Sequence, residues 1–564
     1  MEKRIFLAIL ISIGMLWLWA AIAPRLFPEL AKKPVAAKSA TDTAAPKSAA
    51  STTTGTTTTG TPAATTTSVA AAPVAAAPAA LNAAPPAAPV AAQRVQLTTI
   101  DTNEYTAVLS NRGAQLVSFK LKHYRQKKST NLVDLVKARE QGRTDYPFMI
   151  VPRDPALKRL NGVLYAVSDV PGANGQRVIQ YRYSDGRITA TKTFRFGPQP
   201  YLFDFSTAIS PPSPYRIAAG PGMRTLAAEE QDTQVVTTGN GVYQAEGKFK
   251  VIGREKAANL KILPVVDYIG IEDNYFLTAL RPSRAGEGLL QKVVFYDAKT
   301  KARRADLYAE LNAVGDGTVA GEAFFGPKEA ALLDRYGMEK ALQFGFFDII
   351  GRFFLKALIW LNTFTHNYGF AIIVLTILIK MVLYPLQHKS IVSMKKMQRV
   401  QPKIEAIKAK YKKAKQDAEQ RQKMNVETMQ LYQKEGINPM AGCLPLVLQL
   451  PILWGFYGLL SRAIELRGAP FILWIHDLSE KDPYYITPIL MTATMFIQTY
   501  ITPSTGDPAQ RKMFLMMPLV FGFLFKDFPS GLVLYWLVQN VLTIVQQSIM
   551  NKWWKDHPDD LQKV

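Results

Sequence analysis

AIIVLTILIKMVLYPL, residues 371 to 386, decides how this chain is read. Apart from Thr376, Lys380, Tyr384 and Pro385, every residue in it is aliphatic or methionine. Such a run predicts a helix that crosses a bilayer, here over 369–386, and it carries one lysine well inside. A plain account of Lys380 exists. It stands five residues before Pro385, about 8 Å from that end at 1.5 Å per residue, within reach of a snorkelling side chain. A functional account competes with it, because ionisable residues inside spans mark sites, and Thr376 lies one turn away on the same face.

Further apolar runs predict spans at about 442–461, 485–502, 513–528 and 530–549. Residues 5–23, IFLAILISIGMLWLWAAIA, follow Lys3 and Arg4. Ala21-Ile22-Ala23 imitates a signal cleavage site, but the run is long for a signal core and Pro24 follows at once, so a retained anchor over residues 1–24 is expected. That makes six spans. The loop 387–436 holds thirteen Lys/Arg against five Asp/Glu. The positive-inside rule places it and both termini in the cytosol, with loop 463–484 and the turn FKDFPSG outside.

Before these spans the composition changes twice. Residues 25–93 are dominated by Ala, Thr, Pro and Ser, a composition that cannot bury enough apolar surface to offset chain entropy, so a disordered linker is expected. From 94 to 338, stretches such as RVIQYRYSDGRITATKTFRF alternate polar with apolar or β-branched residues between Gly, Pro, Asn and Asp. The alternation predicts an all-β sandwich, placed outside the inner membrane by the anchor before it. Residues 339–366 include FGFFDIIGRFFLKALIWL, in which Asp348, Arg352 and Lys356 recur every fourth residue. A charged stripe of that kind costs roughly 2.5–3.5 kcal/mol per charge at a bilayer centre, so a helix lying flat in the interface is expected instead. Within 387–440, Met394, Met397, Ile404, Ile407 and Tyr411, then Met424 and Leu431, predict a helical hairpin with a basic surface. The tail 552–564 is short and nearly balanced in charge.

The net charge of +23 admits acidic lipid, nucleic acid or a ribosome as partners. Several chemistries find no residues. One cysteine, Cys443, allows no internal disulfide, and five scattered histidines form no zinc pattern. The stretch GVYQAEGKF from Gly241 is one residue too long for a phosphate loop, with Phe249 where Ser or Thr would hold magnesium. No metal, nucleotide or other cofactor is expected, nor an enzyme.

The polar residues of the spans are informative. Gln449 lies about seven residues from the cytosolic end of its own span, near the depth of Lys380. In GLVLYWLVQNVLTIVQQS, Tyr535, Gln539 and Thr543 recur at four-residue spacing, with Trp536 and Asn540 beside them, and Asn540 also comes out near that depth. Polar side chains cannot face lipid unpaired. They either bond helix to helix or line a wet cavity open to the cytosol. Inside the five clustered spans no Asp or Glu accompanies them except Asp527 at a turn. A lone cation in such a pocket suits anionic or polar chain segments. A small-solute transporter with an external binding domain is the alternative, and a pure assembly scaffold the third.

YPLQHKSIVSMKKMQRVQPKIEAIK, EGINPMAGCLPLVLQLPI, APFILWIHDLSEKDPYYITPILM and FPSGLVLYW resemble, in order and spacing, the YidC/Oxa/Alb family of membrane insertases, in its Gram-negative form with a large periplasmic domain. The resemblance runs over nearly the whole chain. It implies a six-span α-helical membrane protein with a five-helix insertase core over 367–551 and an all-β periplasmic domain. It implies a multi-pass protein of the bacterial inner membrane that inserts, folds and helps assemble membrane proteins through a hydrophilic groove, alone or with the Sec translocon. Its partners would be nascent membrane proteins, the lipid bilayer and, through the hairpin, a ribosome or signal recognition machinery. Thr376, Lys380, Gln449, Tyr535 and Trp536 fall on positions that line the family's groove or its exit. Lys380 stands where the family usually has arginine, and Trp536 where it usually has a second tyrosine.

Overall fold

The computed structural model describes residues 88–556 except 128, 138–144, 225–238, 255–256, 258–259, 298–301, 314, 412–416, 438–443 and 503–507. The expected anchor, most of the expected linker and the end of the tail lie outside the described residues. Val90, inside the expected linker, already pairs with Ser184, with backbone N–O distances of 2.8 and 2.9 Å.

Among the described residues the alternating segments form eighteen antiparallel strands. They are β1 (Leu97–Asp101), β2 (Tyr105–Ser110), β3 (Gln115–Arg125), β4 (Leu132–Asp134), β5 (Met149–Pro152) and β6 (Ala166–Pro171). Next come β7 (Arg177–Ser184), β8 (Thr189–Phe196), β9 (Leu202–Ser210), β10 (Tyr215–Ala219), β11 (Asn240–Ala245) and β12 (Lys248–Ile252). The last are β13 (Leu260–Val266), β14 (Tyr268–Glu272), β15 (Phe276–Pro282), β16 (Gly286–Asp297), β17 (Ala302–Asn312) and β18 (Thr318–Pro327). A nine-stranded sheet runs β12-β11-β14-β15-β18-β9-β8-β7-β6. A five-stranded sheet, β13-β16-β17-β10-β5, packs on one part of its face, and a four-stranded sheet, β1-β2-β3-β4, on another. Phe119 of β3 meets Phe203 of β9 and Phe325 of β18 at 6.1 and 5.5 Å between ring centres, and Phe148 meets Phe194 of β8 at 5.0 Å. All five rings are buried, each contributing roughly 1.5–3 kcal/mol of apolar transfer. The stretch weighed as a phosphate loop is the β11–β12 hairpin, with Glu246 and Gly247 at positive φ in a two-residue turn.

The apolar runs form helices. A short helix, α1 (Ala330–Arg335), leads out of the sheets. Then follow α2 (Asp348–Thr365), α3 (Tyr368–Lys410), α4 (Ala418–Lys434), α5 (Leu444–Arg462), α6 (Ile486–Ile501), α7 (Pro508–Phe525) and α8 (Ser530–Asp556). Among the described residues two helices, α3 and α8, are long and apolar enough to cross a membrane, and α6 and α7 are shorter apolar helices. The architecture is therefore a large all-β domain followed by a helical C-terminal region.

In α2 the expected charged stripe is partly tied down. Arg352 pairs with Asp348 at 2.6 Å and donates to the carbonyls of Glu339 and Leu342. Phe354 and Leu358 pack inward, Phe354 lying 4.5 Å from Phe456 of α5. Phe346, just before the helix, is 95% exposed, and Ile349, Phe353, Trp360 and Phe364 are exposed with it. The helix therefore carries two apolar faces, one turned into the protein and one out. Glycine lets α5 press against the segment entering α2. A Cβ on Gly458 would sit 2.0 Å from the Phe344 carbonyl oxygen.

The β domain is fastened to one end of the helices. Asn274 donates to the Ser461 carbonyl (3.1 Å), Glu465 accepts from the Ala330 amide (3.0 Å), and Lys127 pairs with Glu480 (3.4 Å). The Arg467 guanidinium lies over the rings of Tyr275 and Phe276 at 5.5 and 5.6 Å. At the other end, α3 and α4 make the expected hairpin around Met397, Val400, Ile404 and Ile437, with Lys403–Glu435 and Lys410–Glu427 pairs at 2.6 and 3.1 Å.

Candidate functional site

The polar residues of the apolar helices are joined into a ladder along α8. Tyr535, Gln539 and Thr543 project on successive turns, because four residues advance close to one full turn. Tyr535 is fully buried and stacks on Phe456 of α5, with ring centres 4.4 Å apart and planes at 18°. Its hydroxyl accepts a hydrogen bond from Nε2 of Gln449. Gln539 Nε2 reaches Oε1 of Gln449 at 3.5 Å, at the edge of bonding distance. Thr543 Oγ1 donates to the Gln539 carbonyl (2.7 Å) and accepts from Lys380 Nζ (2.8 Å).

Lys380 is 8% exposed. Its partner is a neutral hydroxyl, and among the described residues no Asp or Glu stands within ion-pair distance of it. Lys380 and Thr543 lie twelve and thirteen residues into α3 and α8, roughly 18–20 Å along each helix from the end that holds the β domain. Gln449 reaches α8 at Tyr535 and Gln539, one to two turns nearer that end than Thr543, so the contacts run as a ladder along α8.

Three of the expected residues turn elsewhere. Thr376 is fully buried and its hydroxyl donates back to the Ile372 carbonyl at 2.7 Å, a bond within its own helix. Asn540 donates to the Met491 carbonyl and to Thr494 Oγ1 of α6, both at 3.3 Å. Trp536 packs on Phe521 and Phe525 of α7, with centres at 6.1 and 5.2 Å. Rotation explains the division. Residues 536 and 540 are offset by about 100° from 535 and 539, and on α8 that turns them from α5 toward α6 and α7.

The sequence reading passed over two residues of the same seam. Gln546 is 9% exposed and neither amide atom has a protein partner, and Gln387, 7% exposed, has its Oε1 in the same condition. Each stands seven residues beyond a ladder residue, Gln546 after Gln539 and Gln387 after Lys380. That two-turn spacing is the signal that could have found them. Beyond them Ile391 and Val392 of α3 pack with Met550 and Trp554 of α8 in a small apolar cluster. The described start of the tail, read as short and nearly balanced in charge, thus continues a helix that packs on the base of the hairpin.

The ladder offers donors and acceptors of hydrogen bonds and one cation. Among the described residues no three His, Cys, Asp or Glu gather where a metal could be held.

Comparison with known proteins covers the whole chain. Residues 97–360 match the family model described as the YidC periplasmic domain, and residues 360–557 the one described as 60Kd inner membrane protein. A membrane protein insertase YidC of Citrifermentans bemidjiense is 36% identical, with 98% of this chain and 99% of the relative aligned. That of Geotalea daltonii is 32% identical, with the same shares of each chain covered. Among solved structures, an active YidC insertase with its first transmembrane domain resolved aligns over 81% of this chain and 94% of its own, at 19% identity and a TM-score of 0.36.

Proposed function

The chain belongs to the YidC family of membrane protein insertases, and from that premise we propose that the ladder from Tyr535 to Lys380 is the groove through which it inserts its substrates. The protein is a membrane protein insertase, and its substrates are nascent membrane proteins. A solute transporter is not favoured by these relatives.

One observation carries the mechanism: a nearly buried ammonium, set among apolar helices, with a single neutral partner and no acid. A lysine in hydrocarbon costs roughly 2.5–3.5 kcal/mol. Water around it lowers that cost, and the partnerless amide oxygens of Gln387 and Gln539 and both amide atoms of Gln546 call for water as well. A wet groove of this kind shortens the dry path for a hydrophilic substrate segment. Lys380 supplies a counter-charge to acidic ones. The driving energy belongs to the substrate, at about 0.3–0.6 kcal/mol per strongly apolar residue of an entering helix. The membrane potential adds about 2.3 kcal/mol per charge per 100 mV, with a sign that moves anions outward.

The five helices α3 and α5–α8 form the spanning core in this reading, with the first span in the anchor 1–24, and α2 lies in the interface with Ile349, Phe353 and Phe364 in lipid. The basic hairpin and both termini face the cytosol, and the β domain the periplasm. Attachment of the β domain at the end opposite the hairpin supports that orientation. The Sec translocon and, through the hairpin, a ribosome or signal recognition machinery are the proposed partners. Asn540 and Trp536 hold helices together beside the groove, and Thr376 is tied back to its own helix.

Purified protein in liposomes, without nucleotide, is expected to insert a small single- or double-span protein. Lys380→Ala and Lys380→Glu are expected to impair it. Solute flux without insertion would overturn the reading.

A further inference from the structure

The β domain contains a cleft of 740 Å³ that the insertion mechanism does not use. Its floor is the face of the five-stranded sheet turned away from the nine-stranded one, with Gln291 and Val293 of β16 and Tyr308 and Glu310 of β17. Its walls are β5, the end of β2, the start of β3 and the 3-10 helix Pro155–Asn161. The volume is in the range of sites that enclose a ligand of several residues or rings.

The charges are distributed unevenly. The two acids of the cleft are engaged: Asp145 accepts from the Tyr308 hydroxyl at 2.9 Å, and Glu310 is in ion-pair contact with Arg216 at 2.6 Å. Burial pushes the Glu310 carboxyl up to about 7, which weakens any repulsion of an entering anion at neutral pH. Among the cations, Arg159 pairs with Asp185. Arg112, Arg153 and Lys158 are exposed and have no acidic partner among the described residues. They come from the β2–β3 turn, the residue after β5 and the 3-10 helix, and line one cleft.

Backbone pairing is closed off at this edge. β5 is the last strand of its sheet, yet the Ile150 amide donates to Asn161 Oδ1 (2.8 Å) and its carbonyl accepts from Asn161 Nδ2 (2.7 Å). The next residue with outward backbone groups is Pro152, which has no N–H. A ligand cannot bind here as an added strand, so recognition falls to side chains: three cations, with Val117, Met149, Val151 and Val293 as apolar ground between them.

We propose that this cleft docks acidic, extended polypeptide segments through Arg112, Arg153 and Lys158. The proposal rests on the insertase reading. An insertase whose groove cation and membrane potential both favour acidic segments delivers those segments to the side on which the β domain sits, and a cleft with unpaired cations is complementary to them. Docking there hinders their return and leaves the groove open for the next segment.

The full-length protein in nanodiscs, titrated with a fluorescent Glu-rich decapeptide and read by anisotropy, tests this. Binding is expected to weaken with added salt, and the triple variant Arg112→Gln/Arg153→Gln/Lys158→Gln to lose affinity about tenfold, since exposed charge pairs are individually weak. The three residues are exposed, so the variant should fold, and an unchanged melting curve checks it. In a second arm a photo-crosslinking residue at Gln291 is expected to capture the translocated acidic tail of an inserted substrate. Equal binding of a neutral decapeptide, unchanged affinity in the triple variant, or inorganic phosphate displacing the peptide at equal molarity would overturn the proposal. Insertion that proceeds with no capture at position 291 sinks the cleft and spares the groove, whereas failure of insertion itself sinks the groove.

Discussion

Among the described residues two lysines are buried without an acid, one in each half, and they are held in opposite ways. Lys192 of β8 is fully buried, and its Nζ donates to three backbone carbonyls, Gly113 (2.7 Å), Ala114 (3.2 Å) and Phe148 (2.6 Å). An ammonium has three protons, so every one of them is used. Lys380 is slightly more open and gives one hydrogen bond, to a hydroxyl. A saturated cation ties three chain segments together and has nothing left to offer, whereas Lys380 keeps protons uncommitted to the described residues, as the proposed groove requires.

The sharpest way to break that contrast is to remove each lysine in turn. Lys192→Ala strands three buried acceptors, at about 1–3 kcal/mol each, and leaves a cavity, so a loss of ~4 kcal/mol or more is expected. Thermal unfolding of the purified protein reads it, and a melting point within a degree or two of wild type would refute the fastener role. The same site has a pH signature. Burial pushes the Lys192 ammonium down to about 7, against 10.5 for an unburied lysine. Between those values the unfolded chain carries the extra proton, so this group's contribution to stability rises with pH through the window and is lost as pH falls through about 7. The difference in melting temperature between wild type and Lys192→Met should therefore widen from pH 7 to pH 10.

Lys380→Ala should reverse the pattern, with insertion slowed about tenfold, equivalent to ~1.4 kcal/mol, and the melting curve little changed. Lys380→Arg should keep most of the rate, since the charge remains. A Lys380→Ala protein that inserts normally would show that the side chain only snorkels. Trp554→Ala tests a smaller effect. Loss of the cluster with Ile391, Val392 and Met550 should loosen the hairpin base by roughly 1–2 kcal/mol. Faster hydrogen exchange over residues 388–396, with the β domain unaffected, is the expected readout. Asn540→Leu should have the least effect, ~0.6 kcal/mol of stability with insertion intact, as for an ordinary interhelical bond. A severe insertion defect there would return Asn540 to the groove.

Much of this was legible before any coordinates. The two-residue alternation of TKTFRF and its neighbours marked the strands, because a half-buried sheet enforces that period. The length of the run around Lys380, and the four-residue spacing of Tyr535, Gln539 and Thr543, marked a polar stripe on a helix. Asn540 and Trp536, read as a second pair beside that stripe, turn instead toward α6 and α7, a rotation that spacing along one helix does not fix. The sequence reading missed Lys192, although Ala190, Phe194 and Phe196 share its face of β8 and are buried with it. A lysine inside an alternation reads as solvent-exposed until the carbonyls that receive it are known.

The sequence by itself determined where apolar runs begin and end, which strands alternate and that one cation lies inside a span. Each is local, set by the chain's own periodicity and by the cost of hiding a charge. Only the tertiary structure decided which helix each polar face meets, that Lys192 is saturated, and that the tail grips the hairpin. Periodicity orders residues around one axis, but the rotation of that axis against its neighbours comes from side-chain packing between segments far apart in the chain.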